Sequence, residues 1–156
     1  MYSIKRKKGN VGEDIVVSYL ENVGFKILDR NYLKKCGEID VVAEKSKKVY
    51  FIEVKSSVLS SFNGFSETND IEHWKIIVLD EPSSVSCETE DGVFNPVWNM
   101  TNKKKSSFSK IIKTYLADKY GEAMPEFQID LVSVLLDFYK KIAYINRIEN
   151  VLLENN

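Results

Sequence analysis

Three runs rich in aliphatic and aromatic residues, Phe25–Leu33, Glu38–Glu44 and Val49–Ser56, follow one another with only Lys34-Lys35-Cys36-Gly37 and Lys45 with the turn Ser46-Lys47-Lys48 as breaks. Connections this short cannot carry a crossover, so the runs are expected to pair antiparallel as a three-stranded meander. Strand periodicity then sorts their side chains. In the second run Glu38, Asp40 and Val42 share one face and Ile39, Val41 and Ala43 the other. In the third, Phe51, Glu53 and Lys55 share one side and Tyr50, Ile52 and Val54 the opposite one. Asp40 thus interrupts an aliphatic strand, and Glu53 and Lys55 close another that begins Val49-Tyr50-Phe51-Ile52.

The flanking chain supplies helices. Asn10 can cap a helix over Val11–Val23, placing Glu13 and Asp14 in its first turn, where the helix dipole favours acids. Val16, Tyr19, Leu20 and Val23 form its apolar stripe, Glu13 sits at the edge of that stripe on a row with Val17 and Leu20, and Gly24 stops the helix. A second helix, capped by Thr101, carries Phe108, Ile111, Ile112, Tyr115 and Leu116 on one face and ends at Gly121 and Pro125. Phe127–Leu136 and Lys141–Ile148 read as a final strand pair, and the tail from Glu149 is expected to fray. The order α-β-β-β-insertion-α-β-β predicts an α/β fold, a mixed sheet flanked by helices, in one domain over residues 1–156.

Residues 58–98 stand apart in composition. They hold eight acids against the single base Lys75, a net −7, which leaves +6 on the rest of a chain whose total is −1. The scaffold is therefore basic, and the acidic insertion, with one strong apolar run over Trp74–Leu79, is expected to form one or two strands.

Several chemistries lack their parts. Cys36 and Cys87 lie 51 residues apart with no CxxC partner, which speaks against a zinc site or a disulfide framework. His73 is the sole histidine and there is no glycine-rich phosphate loop, so triad catalysis and nucleotide cradling have little to work with. No run of eighteen apolar residues occurs, and the basic start MYSIKRKKGN has no apolar segment behind it; the expectation is a soluble cytoplasmic protein with no membrane association.

What remains is the acidic pair and its lysine. Hydrolysing a phosphodiester needs a cation to neutralise charge on the phosphate oxygens and a water aimed at phosphorus. Mg²⁺ or Mn²⁺ takes oxygen ligands, and Asp40, Glu53 and the Val54 carbonyl suit it if their strands are neighbours. Lys55 can orient the attacking water or steady the transition state, and Glu13 can add a further ligand to metal or water. A carboxylate and a lysine two apart on a strand are by themselves ordinarily a solvated face; charges inside apolar strands are costly without a partner, which favours the joint reading. Lys103, Lys104 and Lys105, at the start of the second helix, can bind phosphate there or equally form a solvated helix end, while Lys5–Lys8, Lys34-Lys35 and Lys45–Lys48 fit solubilising turns and tail.

At these residues the sequence resembles a known family. Gly12-Glu13, Tyr19-Leu20, Gly24-Phe25-Lys26-Ile27-Leu28, Asn31-Tyr32, Gly37-Glu38-Ile39-Asp40 and Phe51-Ile52-Glu53-Val54-Lys55 look like the YraN-like bacterial proteins. The likeness resumes with Asn95-Pro96, Asn99, Thr101, Lys104, Tyr115-Leu116 and Phe127–Val134. That family is of predicted endonucleases with the restriction-endonuclease-like PD-(D/E)xK fold, akin to archaeal Holliday-junction resolvases. The resemblance implies metal ligation by Asp40 and Glu53, a catalytic Lys55 and a supporting acid at Glu13. This chain departs from the family in its long acidic link after the third strand, and in Lys103-Lys104-Lys105-Ser106-Ser107 where the family tends to have arginines and a glutamine.

The leading expectation is a Mg²⁺- or Mn²⁺-dependent endonuclease acting on DNA, with branched or structured DNA as a candidate form and RNA as the lesser one, since both present the same phosphates. A homodimer would suit a junction cut twice. The alternative is a nucleic-acid- or protein-binding module that keeps the nuclease-like fold and does not cut.

Overall fold

The computed structural model describes residues 4–58, 75–79 and 102–151. Helix α1 spans Ile4–Asn22 and is followed by strands β1 (Lys26–Lys34), β2 (Gly37–Lys45), β3 (Lys48–Val58) and β4 (Lys75–Val78). Helix α2 (Asn102–Tyr120) and strands β5 (Phe127–Asp137) and β6 (Ile142–Ile148) complete the order. The strands form one six-stranded sheet, β1-β2-β3-β5-β6-β4. β1, β2 and β3 make the expected antiparallel meander, and β5 lies parallel to β3, the connection through α2 being long enough to return the chain in the same direction.

The two helices cover opposite faces. Val16, Tyr19 and Leu20 of α1 pack with Val41, Ala43, Ile52, Val132 and Val134. Phe108, Ile111, Ile112, Tyr115 and Leu116 of α2 pack with Ile39, Val42, Val49 and Phe51. Burying each large side chain contributes roughly 1.5–3 kcal/mol, and these two layers are the main source of stability. β5 is buried along Leu131–Leu136, as a central strand covered on both faces must be.

Three features differ from the sequence expectation, namely the start of α1, the tail and the face of Ile39. Ile39 packs with Val42 against α2 and not with Val41 and Ala43, while the strand expected in the acidic segment finds its place in the sheet. α1 begins at Ile4, so Asn10 lies inside the helix and Glu13 at its midpoint rather than in its first turn. Lysine and arginine are strong helix formers, and Ile4–Lys8 carries the helix through the weak Gly9-Asn10 pair. From the acidic segment, β4 joins the same sheet as its edge strand, antiparallel to β6. The chain after Glu149 is tied down at its start: Asn150 N–H donates to Asp130 Oδ1 at 2.9 Å, and Val151 N–H to the Ile129 carbonyl at 2.7 Å. Thr101, His73, Cys87, both tryptophans and the rest of the insertion lie outside the described residues. The helix stop at Gly24 is as read, with φ of 88° and Phe25 N–H closing on the Leu20 carbonyl. No described helix is long and apolar enough to cross a membrane.

Candidate metal centre at the parting of two strands

The β2–β3 ladder runs from Lys45↔Lys48 to Val41↔Ile52 and stops there. The next step would set Asp40 opposite Glu53, and it is at this point that the strands part. A strand leaving its neighbour strands backbone donors, and Val54 N–H is one of them; it donates instead to Asp40 Oδ2 at 2.7 Å. The Asp40 side chain thus replaces the backbone partner that β2 no longer provides. In an extended strand a residue's N–H and C=O project toward the same edge, so the Val54 carbonyl also faces this fork.

Glu53 is buried, with 6% of its side chain exposed, on the α2 side of β3 together with Phe51. Burial first, and then the neighbouring Glu53 carboxylate, pushes the Asp40 carboxyl up to about 7, against the Val54 hydrogen bond that favours its charged form. Glu13 approaches from α1, where buried Gly12 allows the helix onto β3: a Cβ built on Gly12 would stand 2.5 Å from the Cβ of Ser56. The Glu13 carboxyl is also raised, chiefly by burial, while a hydrogen bond with Asn31 and the charge of Arg30 oppose the shift. Asn31 makes that contact from a positive φ of 51°, which asparagine tolerates better than most residues. Glu13 Oε2 is buried and has no hydrogen-bond partner among the described residues.

Lys55 falls opposite Ser133 of β5 and shares its strand face with Glu53, and it enters no ion pair among the described residues. Of the lysines at the start of α2, Lys103 is exposed and Lys105 partly buried. Lys104 turns inward, its ammonium bonded to Glu53 Oε1. Sequence position groups these three as one basic cluster and does not reveal that contact. Its signal was present in the helical period, since Lys104 lies four residues before Phe108 and seven before Ile111, on the buried stripe. Glu38, on the same strand as Asp40, is exposed.

The donor set suits a hard, hydrated cation. Among the described residues no three His, Cys, Asp or Glu side chains close into a ready ligand group, so an all-protein cage of the zinc or calcium kind is not formed. Mg²⁺ needs less, taking one or two carboxylates and keeping several waters. Two mutually repelling carboxylates, a carbonyl edge and the orphaned Glu13 oxygen are consistent with such an ion.

Comparison with known proteins places the chain. The model of a family described as "Uncharacterised protein family UPF0102" matches residues 12–79, a span that holds Glu13, Asp40, Glu53, Val54 and Lys55 but not the lysines of α2. A UPF0102 protein of Campylobacter lari is 32% identical over 142 residues, 88% of this chain and 92% of that protein. One of Alkaliphilus metalliredigens is 27% identical over 92% of this chain and 97% of its own. A third, of Sulfurihydrogenibium sp., is 42% identical over 41% of this chain, and the match spans 56% of its length. On the extent of the Campylobacter lari match, the chain belongs to the UPF0102 family.

Proposed function

We propose that this protein is a metal-dependent endonuclease that hydrolyses phosphodiester bonds in DNA, branched or otherwise structured DNA included, with the restriction-endonuclease-like arrangement that the YraN-like resemblance implies. The observation that carries the reading is the convergence of Asp40 and Glu53 at the parting of β2 and β3, with Val54 N–H holding the Asp40 carboxylate in place. A Mg²⁺ or Mn²⁺ ion bound there would supply charge neutralisation for the phosphate oxygens. Asp40, Glu53 and the Val54 carbonyl would hold it. Lys55, next on the same strand face, orients the attacking water and offers its ammonium to the developing negative charge. Glu13, with its unpartnered oxygen, fixes a water of the site from the α1 side.

The test is incubation with Mn²⁺ and a panel of linear, single-stranded and four-way-junction DNAs beside the Asp40→Ala protein. Metal-dependent cleavage lost in Asp40→Ala supports the reading, and cleavage that survives the substitution refutes the mechanism. One observation favours a binding module that does not cut: among the described residues no ligand group of three side chains is preassembled. In that case metal titration shows no site, and Glu53→Gln leaves nucleic-acid or protein binding intact.

A further inference from the structure

Glu53 is the most deeply buried acid of the fork, with 6% of its side chain exposed, and its partner Lys104 keeps 47% of its own side chain in contact with solvent. That asymmetry decides what each partner loses on separation. A buried carboxylate without a counter-charge carries the full desolvation penalty, and here the Asp40 carboxyl stands near it as a further acid. A half-exposed ammonium on a flexible four-carbon stem regains most of its hydration by a rotamer change. Lys104 also sits in the first turn of α2, where the positive end of the helix dipole opposes a cation, so its own helix does not favour its ammonium there and the contact with Glu53 does.

We infer that Lys104 is the internal counter-ion of this site, holding the Glu53 carboxylate in the metal-free protein and giving way when a divalent cation binds. This rests on the metal-site reading above and adds a competitor to it. Metal affinity then includes the work of breaking the Lys104–Glu53 contact, and Lys104 sets the threshold concentration at which the site fills.

Titration of the full chain with Mn²⁺ alone, followed by calorimetry, tests this without any cleavage assay. Lys104→Met keeps the aliphatic stem and removes the ammonium, and should bind Mn²⁺ about tenfold more tightly than the unaltered protein, the fold-change that corresponds to one charged hydrogen bond. Lys103→Met, which removes the same charge one residue away from an exposed position, should stay within about twofold. Lys104→Arg, whose fork can grip the carboxylate in two places, should bind Mn²⁺ several-fold more weakly, and this variant serves if the methionine protein does not fold. Unchanged affinity in Lys104→Met, or equal tightening in both methionine variants, overturns the inference while leaving the metal site standing. Failure of every protein to bind Mn²⁺, or binding that survives Asp40→Asn, removes the metal site and the inference with it.

Discussion

Replacing Gly12 with alanine plants a methyl group where α1 lies directly on β3. The new Cβ would stand 2.5 Å from the Ser56 Cβ and 2.9 Å from its Oγ, where non-bonded carbons ordinarily keep about 3.5–4.0 Å. The helix must therefore back away by about an ångström along its whole packed face. Alanine itself favours a helix interior over glycine by roughly 1 kcal/mol, while overpacking of this kind costs about 1–3 kcal/mol, with the upper end expected for so close an approach. The net is a loss of about 1–2 kcal/mol, or roughly 3–6 °C in Tm. The decisive comparison is with the double variant. Ser56→Gly removes both offending atoms and leaves the residue 56 Cα at 3.8 Å, an ordinary contact. On that background Gly12→Ala should become stabilising by about 1 kcal/mol, so the two substitutions couple by roughly 2–3 kcal/mol. Any other interaction of Ser56 is lost on both sides of the cycle and cancels. Urea unfolding of the four proteins measures the coupling. Additive effects, or a Gly12→Ala protein more stable than the unaltered one, would show that α1 does not approach β3 as described and that nothing requires Glu13 to stand at the fork.

Asp40→Asn and Lys55→Ala should each lower metal-dependent DNA cleavage by about 10²-fold or more in a single-turnover assay, while near-ultraviolet circular dichroism stays native. The metal-free protein should lose stability as pH rises from the ordinary 3.8 of an aspartate to about 7, because the folded state holds the Asp40 proton longer than the unfolded chain does. The Asp40 part of the slope is at most about 1.4 kcal/mol per pH unit and is lost in Asp40→Asn, which keeps only what the raised Glu13 carboxyl contributes, and Mn²⁺ affinity rises through the same window as proton and ion compete; urea unfolding in EDTA at several pH values reads it. Arg147→Met should cost roughly 3–5 kcal/mol and lower Tm by about 10 °C, since it leaves Asp130, which is fully buried and bonded by Arg147 Nε at 2.9 Å and Nη2 at 2.6 Å, without its cation.

Local periodicity carried most of the fold and stopped where partners are chosen at long range. The meander was legible because its turns are too short for any other pairing, and α2 because Phe108, Ile111, Ile112, Tyr115 and Leu116 repeat at helical spacing and are all buried. The shared face of Glu53 and Lys55 followed from a period of two. The start of α1 was misplaced because Asn10 has the chemistry of a cap, and capping preference is weaker than the run of helix formers before it. β4 is four residues long, and nothing local tells a short apolar run that it will add to the edge beyond β6. The bonding of Arg147 to Asp130, seventeen residues apart, likewise has no local signature. Lys104 was visible as a lysine on the apolar stripe, yet only the placement of Glu53 beneath α2 turns that anomaly into a contact.

The fork joins architecture and chemistry in one residue. Where β2 leaves β3, Val54 N–H loses its ladder partner, and a side-chain acceptor must take over or the donor stays unsatisfied at a cost of about 1–3 kcal/mol. The amide oxygen of asparagine, of the same reach, would satisfy that donor too, though less strongly than an ionised aspartate. Structure alone therefore gives no reason for a carboxylate whose ionised form is opposed by burial and by Glu53. A cation held by Asp40 and Glu53, as proposed, would supply the reason, because it would reverse the sign of both effects: two acids that repel each other without it would be joint ligands with it. The two roles separate experimentally. Asp40→Asn keeps the Val54 hydrogen bond and, relieved of repulsion, should match or exceed the stability of the metal-free protein while losing Mn²⁺ binding. Asp40→Ala should lose both. If Asp40→Asn is the less stable protein in EDTA at pH 8, the charge on Asp40 already has its compensation within the chain, and the case for a cation at the fork fails.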